Sequence, residues 1–343
     1  MTPDRFHAIT AQYPRLRIAI LGDFCLDRYL EIDPDRAETS IETGLQVHNV
    51  VRVRAQPGGA GTVLNNLAAL GVGRIIPIGF CGDDGEGYEL RRGLAALPGV
   101  SLDHFVSAAE RRTFTYCKPL ICQPGKEPVE LSRLDSKNWT ATPSALVERL
   151  SAGLRAVGPE IDALIVLEQV DREDTGVVTR GTLEAVGSLA AERPDLPILA
   201  DSRRGLAGWP GLSFKMNRAE LTALAGLDAA GSLDRVRAAA ADLAVRNRRP
   251  VFVTLAEEGI VGATPGEQGE HVAAWPLRGP IDIVGAGDSV TANLAAALSS
   301  GASLREAIQL AAVASSVVIH QVGTTGTASV RDLQALLSQV VSS

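Results

Sequence analysis

The sequence predicts an α/β fold: a mainly parallel central sheet flanked by helices on both faces, with a small β-sheet lid attached. Three observations carry this. Short apolar runs alternate with helix-period segments, the signature of βαβ crossovers and a parallel sheet buried on both faces. Two stretches break that rhythm with half-buried alternation. Near the C-terminus a glycine-rich turn opens a strongly helical segment.

In chain order, the buried strands are Arg17 to Leu21, Ile75 to Phe80, Ala163 to Leu167, Pro197 to Ala200 and Val251 to Leu255. The helix-period segments between them are Val63 to Leu70, Gly87 to Leu97, Ser144 to Val157, Gly176 to Ala191 and Leu233 to Val245. In the first interruption Leu45, Val47, Asn49, Val51 and Val53 alternate with Gln46, His48, Val50, Arg52 and Arg54, so Val50 breaks the pattern. In the second, Arg112 to Ile121 and Val129 to Leu134 read as antiparallel strands joined by a turn at Pro124-Gly125. These pieces suggest a lid from residues 31–56 and 105–135. The α/β domain then comprises 1–30, 57–104 and 136–343. An antiparallel extension of the main sheet is the alternative reading of the same strands.

The chain has 343 residues, 45% hydrophobic and 21% charged, with a net charge of −7. Of its 33 basic residues four are Lys and the remaining 29 are Arg, all scattered. An acidic chain without a basic run is poorly suited to neutralising nucleic-acid phosphates. No apolar stretch reaches membrane-spanning length, and residues 1–16 carry charges without a leader-like apolar core. A cytoplasmic protein is therefore expected. The cysteines (25, 81, 117 and 122) form no CxxC pair and read as reduced thiols. Five separated His residues give no metal-ligand spacing, and there is no P-loop, HExxH or GxSxG.

The most informative segment is Asp282-Ile283-Val284-Gly285-Ala286-Gly287-Asp288, followed by a helix over 289–298 with Gly301 as its C-terminal stop. Residues 285–287 then sit at a helix N-terminus, whose free N–H groups and positive dipole end attract anions. Asp288 places a carboxylate beside that anion hole. Such a carboxylate suits a base that takes a proton from an attacking hydroxyl in phosphoryl transfer. An acid in a first helical turn also simply favours the dipole. Ser303 and Glu306 form a capping box that starts a further helix to His320.

Asp27 follows the first strand, on the side where parallel sheets bind ligands, and suits two sugar hydroxyls. Pro57-Gly58-Gly59-Ala60-Gly61 precedes a helix beginning near Thr62, with Asn65 and Asn66 in its first turn. Asn217 and Glu220 stand at i, i+3. That spacing serves a capping box and equally a water-mediated Mg²⁺ site.

Taken together and in order, these motifs resemble the PfkB (ribokinase-like) carbohydrate kinases. The Gly-Gly segment at 58–71, the NxxE at 217–220, Val253-Thr254…Gly259 and the DxxGAGD at 282–288 carry the likeness across residues 16–335. Within the family the chain is similar to the kinase domains of bifunctional heptose 7-phosphate kinase/heptose 1-phosphate adenylyltransferases. Leu21-Gly22-Asp23…Leu26-Asp27-Arg28-Tyr29, Arg133-Leu134-Asp135 and Val322-Gly323-Thr324-Thr325 carry that closer likeness.

The resemblance implies a ribokinase-like three-layer fold and an ATP-dependent sugar or sugar-phosphate kinase. Asp288 is then the base, with Gly285, Ala286 and Gly287 as anion hole. Asp27, Gly58, Gly59, Thr62 and Asn66 are implied at the sugar, and Asn217, Glu220, Thr254, Gly259 and Val313 at the nucleotide. Asn217 and Glu220 are implied near Mg²⁺ through water, and Asp282, Val284 and Gly323 at a monovalent cation such as K⁺. Heptose 7-phosphate is the leading acceptor. A ketohexose, 2-keto-3-deoxygluconate or a nucleoside are the other acceptors, and a degenerate sugar-binding regulator is the rival of a different class. Thr62 stands where the family pattern has Asn. Glu168-Gln169-Val170-Asp171-Arg172 and Asp201-Ser202-Arg203 also depart from the heptose kinases. Val47, Val51, Val53, Phe114 and Tyr116 form an apolar lid face larger than a sugar covers, which predicts a homodimer through the lid.

Overall fold

The computed structural model describes residues 1–226 and 232–341. Its strands are β1 (Arg17–Gly22), β2 (Phe24–Ile32), β3 (Glu38–Thr39), β4 (Gln46–Val47), β5 (Val50–Gly59), β6 (Arg74–Gly82), β7 (Phe105–Ala108), β8 (Thr115–Ile121), β9 (Val129–Glu130), β10 (Ala163–Glu168), β11 (Ile198–Ser202), β12 (Ser213–Asn217), β13 (Val251–Thr254), β14 (Ile260–Ala263) and β15 (Glu270–Val272). Its helices are α1 (Pro3–Thr10), α2 (Ala60–Ala69), α3 (Gly85–Ala95), α4 (Ser144–Val157), α5 (Arg180–Glu192), α6 (Arg218–Ala225), α7 (Leu233–Asn247), α8 (Ala286–Ser299), α9 (Leu304–Val318) and α10 (Val330–Val341).

The main sheet has nine strands in the order β15-β14-β13-β12-β11-β10-β1-β6-β7. All pairings from β7 to β13 are parallel, and β14 and β15 close the edge antiparallel. The apolar runs explain this. Successive side chains of a strand leave on opposite faces, so a strand buried on both sides must be apolar throughout. In β1, Ile18 and Ile20 join one core with α2, α8 and α9. Ala19 and Leu21 join the other with α4, α5 and α7. The parallel strands point their carboxyl ends to one edge of the molecule, and there the site lies.

A separate four-stranded sheet runs β5-β2-β8-β9. It differs from the sequence expectation at several points. β2 begins at Phe24, one residue beyond β1, so the chain changes sheets at Asp23. The buried Asp23 carboxylate fixes that corner by accepting N–H groups of Gln169, Val170 and Val177 at 2.8, 3.3 and 2.6 Å. β7, expected in the lid, pairs in parallel with β6 in the main sheet. Its Phe105 packs edge-on to Phe24 in the core. β8 pairs β9 antiparallel but β2 parallel. The helix expected from Gly176 starts at Arg180, because Thr179 and Thr182 cap it reciprocally and Gly176 is pressed against the Asp23 carboxylate.

Register decides which side chains share a face of the small sheet. Asp27, Tyr29 and Glu31 oppose Gln56, Arg54 and Arg52, while Leu30 opposes Val53. Val53 therefore lies on the face away from Asp27, Val51 sits at the register shift beside it, and both stay about half exposed. Phe114 and Tyr116, expected on that open apolar face, are buried with Cys25 and Val170 of the same chain.

Candidate functional site

Gly285 begins α8 in the left-handed region at φ +82°. A side chain there would be strained, and its Cβ would come within 2.7 Å of Thr325 Cγ2. Ala286 donates its N–H to Ile283 at 3.2 Å, closing the turn. The N–H groups of Gly287 and Asp288 then lie in the first helical turn, where no intrahelical carbonyl is available to them. Asp288 itself is partly accessible, so it can meet a ligand. Its surroundings nevertheless hold its pKa up to about 7, chiefly through removal from bulk water. Lys215 opposes that rise, and the charges of Asp201 and Asp27 add to it.

Asp27 projects from β2 opposite Gln56 of β5. Burial raises its pKa, while the nearby cations Lys118 and Arg133 pull it back. The two lid glycines answer to this acid and its neighbour. A Cβ on Gly58 would fall 2.5 Å from Asp27 Oδ2, and one on Gly59 2.6 Å from the Asp23 carbonyl. Their smallness is thus needed to seat Asp27. Around the same mouth, Arg203 donates to Tyr116 Oη at 3.1 Å, and Arg133 stacks on the Tyr116 ring at 4.7 Å.

The structure brings together Asp27, Gly58, Gly59 and the 285–288 turn, and it relocates others. Thr62 and Asn66, expected at the sugar, are buried on the α2 face that packs α8. Thr62 Cγ2 lies 3.4 Å from where a Gly285 Cβ would sit, and Asn66 Nδ2 donates to the Thr62 carbonyl at 3.0 Å. Thr62 thus packs behind the 285–288 turn, with Asn66 tied to its carbonyl. Val313, expected at the nucleotide, is 1% exposed and belongs to the core between α8 and the sheet. Thr254 ends β13 and reaches back to the Met216 carbonyl at 3.4 Å. Gly259 is required by β15, since a Cβ would meet Val272 O at 2.0 Å.

Asn217 and Glu220 cap α6 reciprocally, with bonds of 2.9 and 2.8 Å. The capping reading and a ligand role use the same geometry. No cluster of three metal-ligating side chains exists among the described residues. Asp282 accepts from Val284 N at 3.0 Å and Gly323 N at 3.3 Å, tying together the two loops expected at a monovalent cation.

Lys215 escaped the sequence reading, and Asp201 entered it only within the departure at 201–203. Lys215 of β12 is nearly buried and pairs with Asp201 of β11 at 2.8 Å. Its Nζ lies 3.0 Å from where a Gly287 Cβ would sit, against the first turn of α8. These two charges come from neighbouring strand ends that are far apart in sequence. The one available signal was a lysine inside the apolar run Ser213-Phe214-Lys215-Met216 of an arginine-rich chain.

Residues 213–331, which hold Lys215, Asn217, Glu220 and the 282–288 turn, match the model of the pfkB family carbohydrate kinases. That match covers about the C-terminal third of the chain. Over 313 residues it is 30% identical to bifunctional protein HldE of Azorhizobium caulinodans, covering 90% of this chain and 61% of that one. With HldE of Caulobacter sp. strain K31 the identity is 32%, over 90% and 60%. The chain thus spans about three fifths of these relatives' length. Among solved structures it is similar to Arabidopsis thaliana ribokinase complexed with ribose and ATP. There the TM-score is 0.67 and the identity 18%, covering 94% of this chain and 98% of that one. Escherichia coli phosphofructokinase-2 in complex with fructose-6-phosphate gives 0.67 and 20%, over 95% and 99%. The fold of the chain is ribokinase-like, with the small antiparallel-edged sheet as its appendage.

Proposed function

We propose that the protein is an ATP-dependent kinase that phosphorylates a hydroxyl of a sugar phosphate, with heptose 7-phosphate as the leading acceptor. The observation that carries the reading is Asp288: a partly accessible carboxylate on the first turn of α8, coupled in charge to Asp27 across the site. The acceptor hydroxyl gives its proton to Asp288 as its oxygen attacks the γ-phosphorus in line. The bond to the bridging oxygen breaks, and ADP leaves with that electron pair. N–H groups of the α8 turn meet the charge that develops on the transferring group. Asn217 and Glu220 would hold Mg²⁺ through water, and the ion would supply charge neutralisation of the nucleotide phosphates. Asp282, Val284 and Gly323 are the place for K⁺.

The four-stranded sheet acts as the lid over the sugar, and the face carrying Val51 and Val53 pairs two subunits. Support for a phosphorylated acceptor comes from the HldE relatives and from the cations at the mouth. Lys118 and Arg133 act on Asp27, and Arg203 sits on Tyr116. A second reading, an unphosphorylated small alcohol such as a ketohexose, is favoured by Glu168. Its buried carboxylate pairs with Arg204 at 3.0 Å, so that strand-end cation is taken up within the protein rather than offered to an acceptor phosphate. No helix among the described residues is long and apolar enough to cross a membrane, in keeping with a cytoplasmic enzyme.

A coupled ADP-release screen over free and phosphorylated sugars tests the reading. Turnover that requires a sugar phosphate supports it. Turnover on free sugars alone moves the assignment to the second reading, and no turnover on any sugar removes the kinase.

A further inference from the structure

Lys215 has an unusual setting. Its side chain is 8% exposed, and its one hydrogen-bonded acid is Asp201, itself 18% exposed. A buried ammonium that only pinned β11 to β12 would sit midway between those strands. This one extends to the first turn of α8, a third element, where its Nζ would touch a side chain at Gly287. The chain is otherwise strongly biased towards arginine. A planar guanidinium needs more room than an ammonium, which acts as a compact point charge. Close against the Gly287 backbone the compact group is the one that fits.

Charge gives this position a purpose. Asp27, Asp201 and Asp288 all act at this place, and Lys215 is the cation that opposes them at Asp288. A transferring phosphoryl group brought to the α8 turn would meet three acids. The turn's N–H groups offer partial charges only, whereas Lys215 brings a full one. We propose that Lys215 is a catalytic cation, held on Asp201 as its positioning residue, whose Nζ contacts the transferring γ-phosphoryl group beside the α8 turn. Lys215 keeps its proton throughout; the acceptor's proton goes to Asp288. The inference rests on the kinase reading above for its reaction, but its binding consequence does not depend on which sugar is used.

The test compares wild type with Lys215→Met and with the double variant Asp201→Asn/Lys215→Met. The double variant removes both charges and guards against misfolding from an unpaired buried acid. Three quantities are measured on the full chain: melting temperature, affinity for MgATP against MgADP by calorimetry, and kcat on the best acceptor. The expected result is a kcat lower by about 10²–10³-fold, the usual cost of losing one group that stabilises developing charge. ATP affinity should fall at least tenfold, and ADP affinity less than twofold, in a variant that still folds. A shared, equal change in ATP and ADP affinity with kcat within fivefold of wild type would overturn the proposal and leave the pair as a strand pin. If wild type phosphorylates no sugar, the kinase reading fails, and the ATP-to-ADP affinity ratio still decides for or against the Lys215 contact.

Discussion

Lowering the pH should switch the enzyme off through Asp288 before it unfolds the protein. The perturbation is a pH series from 8.5 to 5.5. Asp288 must be ionised to take a proton, and its surroundings hold its pKa up to about 7. For a single ionisation at that value, about 90% of the base is active at pH 8, half at pH 7 and about 10% at pH 6. The expected kcat/KM therefore drops roughly tenfold between pH 8 and pH 6, with a limiting slope of one decade per pH unit below that. The assay is initial-rate ADP release at subsaturating acceptor, with the acceptor's own ionisation subtracted and circular dichroism confirming the fold at each pH. Linkage gives a second readout. A carboxyl whose folded pKa lies above its unfolded value lends stability below the unfolded pKa, near 4, and loses it as pH rises through about 7. Asp288→Asn should therefore melt no lower than wild type at pH 8. A flat kcat/KM from pH 8 to 5.5 in a folded protein would refute the reasoning.

Other outcomes follow from the same structure. Asp27→Ala should raise the acceptor KM or lower kcat while leaving ATP affinity within a few-fold, since Asp27 lies on the lid side; calorimetry showing equal loss of both ligands would make Asp27 structural. Light scattering should give a dimeric mass, and Val51→Asp should halve it, because a charge buried without a partner costs several kcal/mol; a dimer that persists in the variant places the interface elsewhere. Glu306 is held down to about 2 mainly by its hydrogen bond to Arg5, a 2.7 Å pair joining α1 to the start of α9. The depressed carboxylate adds stability above its unfolded pKa of about 4.5 and loses it as pH falls towards 2, so Glu306→Gln should lower the melting temperature at pH 7 and converge with wild type near pH 2; equal melting temperatures at pH 7 would show that the exposed pair contributes nothing.

The main sheet was legible because its central strands are continuous apolar runs, a pattern that two-sided burial imposes. The start of α8 was legible because a glycine turn precedes a strongly helical run, and Gly285 does cap it in the left-handed region. What was missed lies where chain neighbours part company. β2 follows β1 directly after Gly22-Asp23, and the corner is fixed by bonds from the Asp23 carboxylate to residues more than 140 positions away, which a local turn pattern does not reveal. Thr62 and Asn66 share a helical face with the Gly-Gly segment in sequence, yet that face looks to α8. Val313 lies in a stripe of small residues that reads equally as a ligand slot or as close helix packing, and the core claims it. Lys215 and Asp201 meet only because β11 and β12 are parallel neighbours, and periodicity carries no information about which strands adjoin.

The central claim is that Asp288 takes the acceptor's proton. It is tested most directly by single-turnover phosphoryl transfer from ATP to the best acceptor, comparing wild type with Asp288→Asn at pH 8. The account predicts a folded variant that binds both ligands and transfers at least about 10²–10⁴-fold more slowly. Transfer at more than a tenth of the wild-type rate would contradict it.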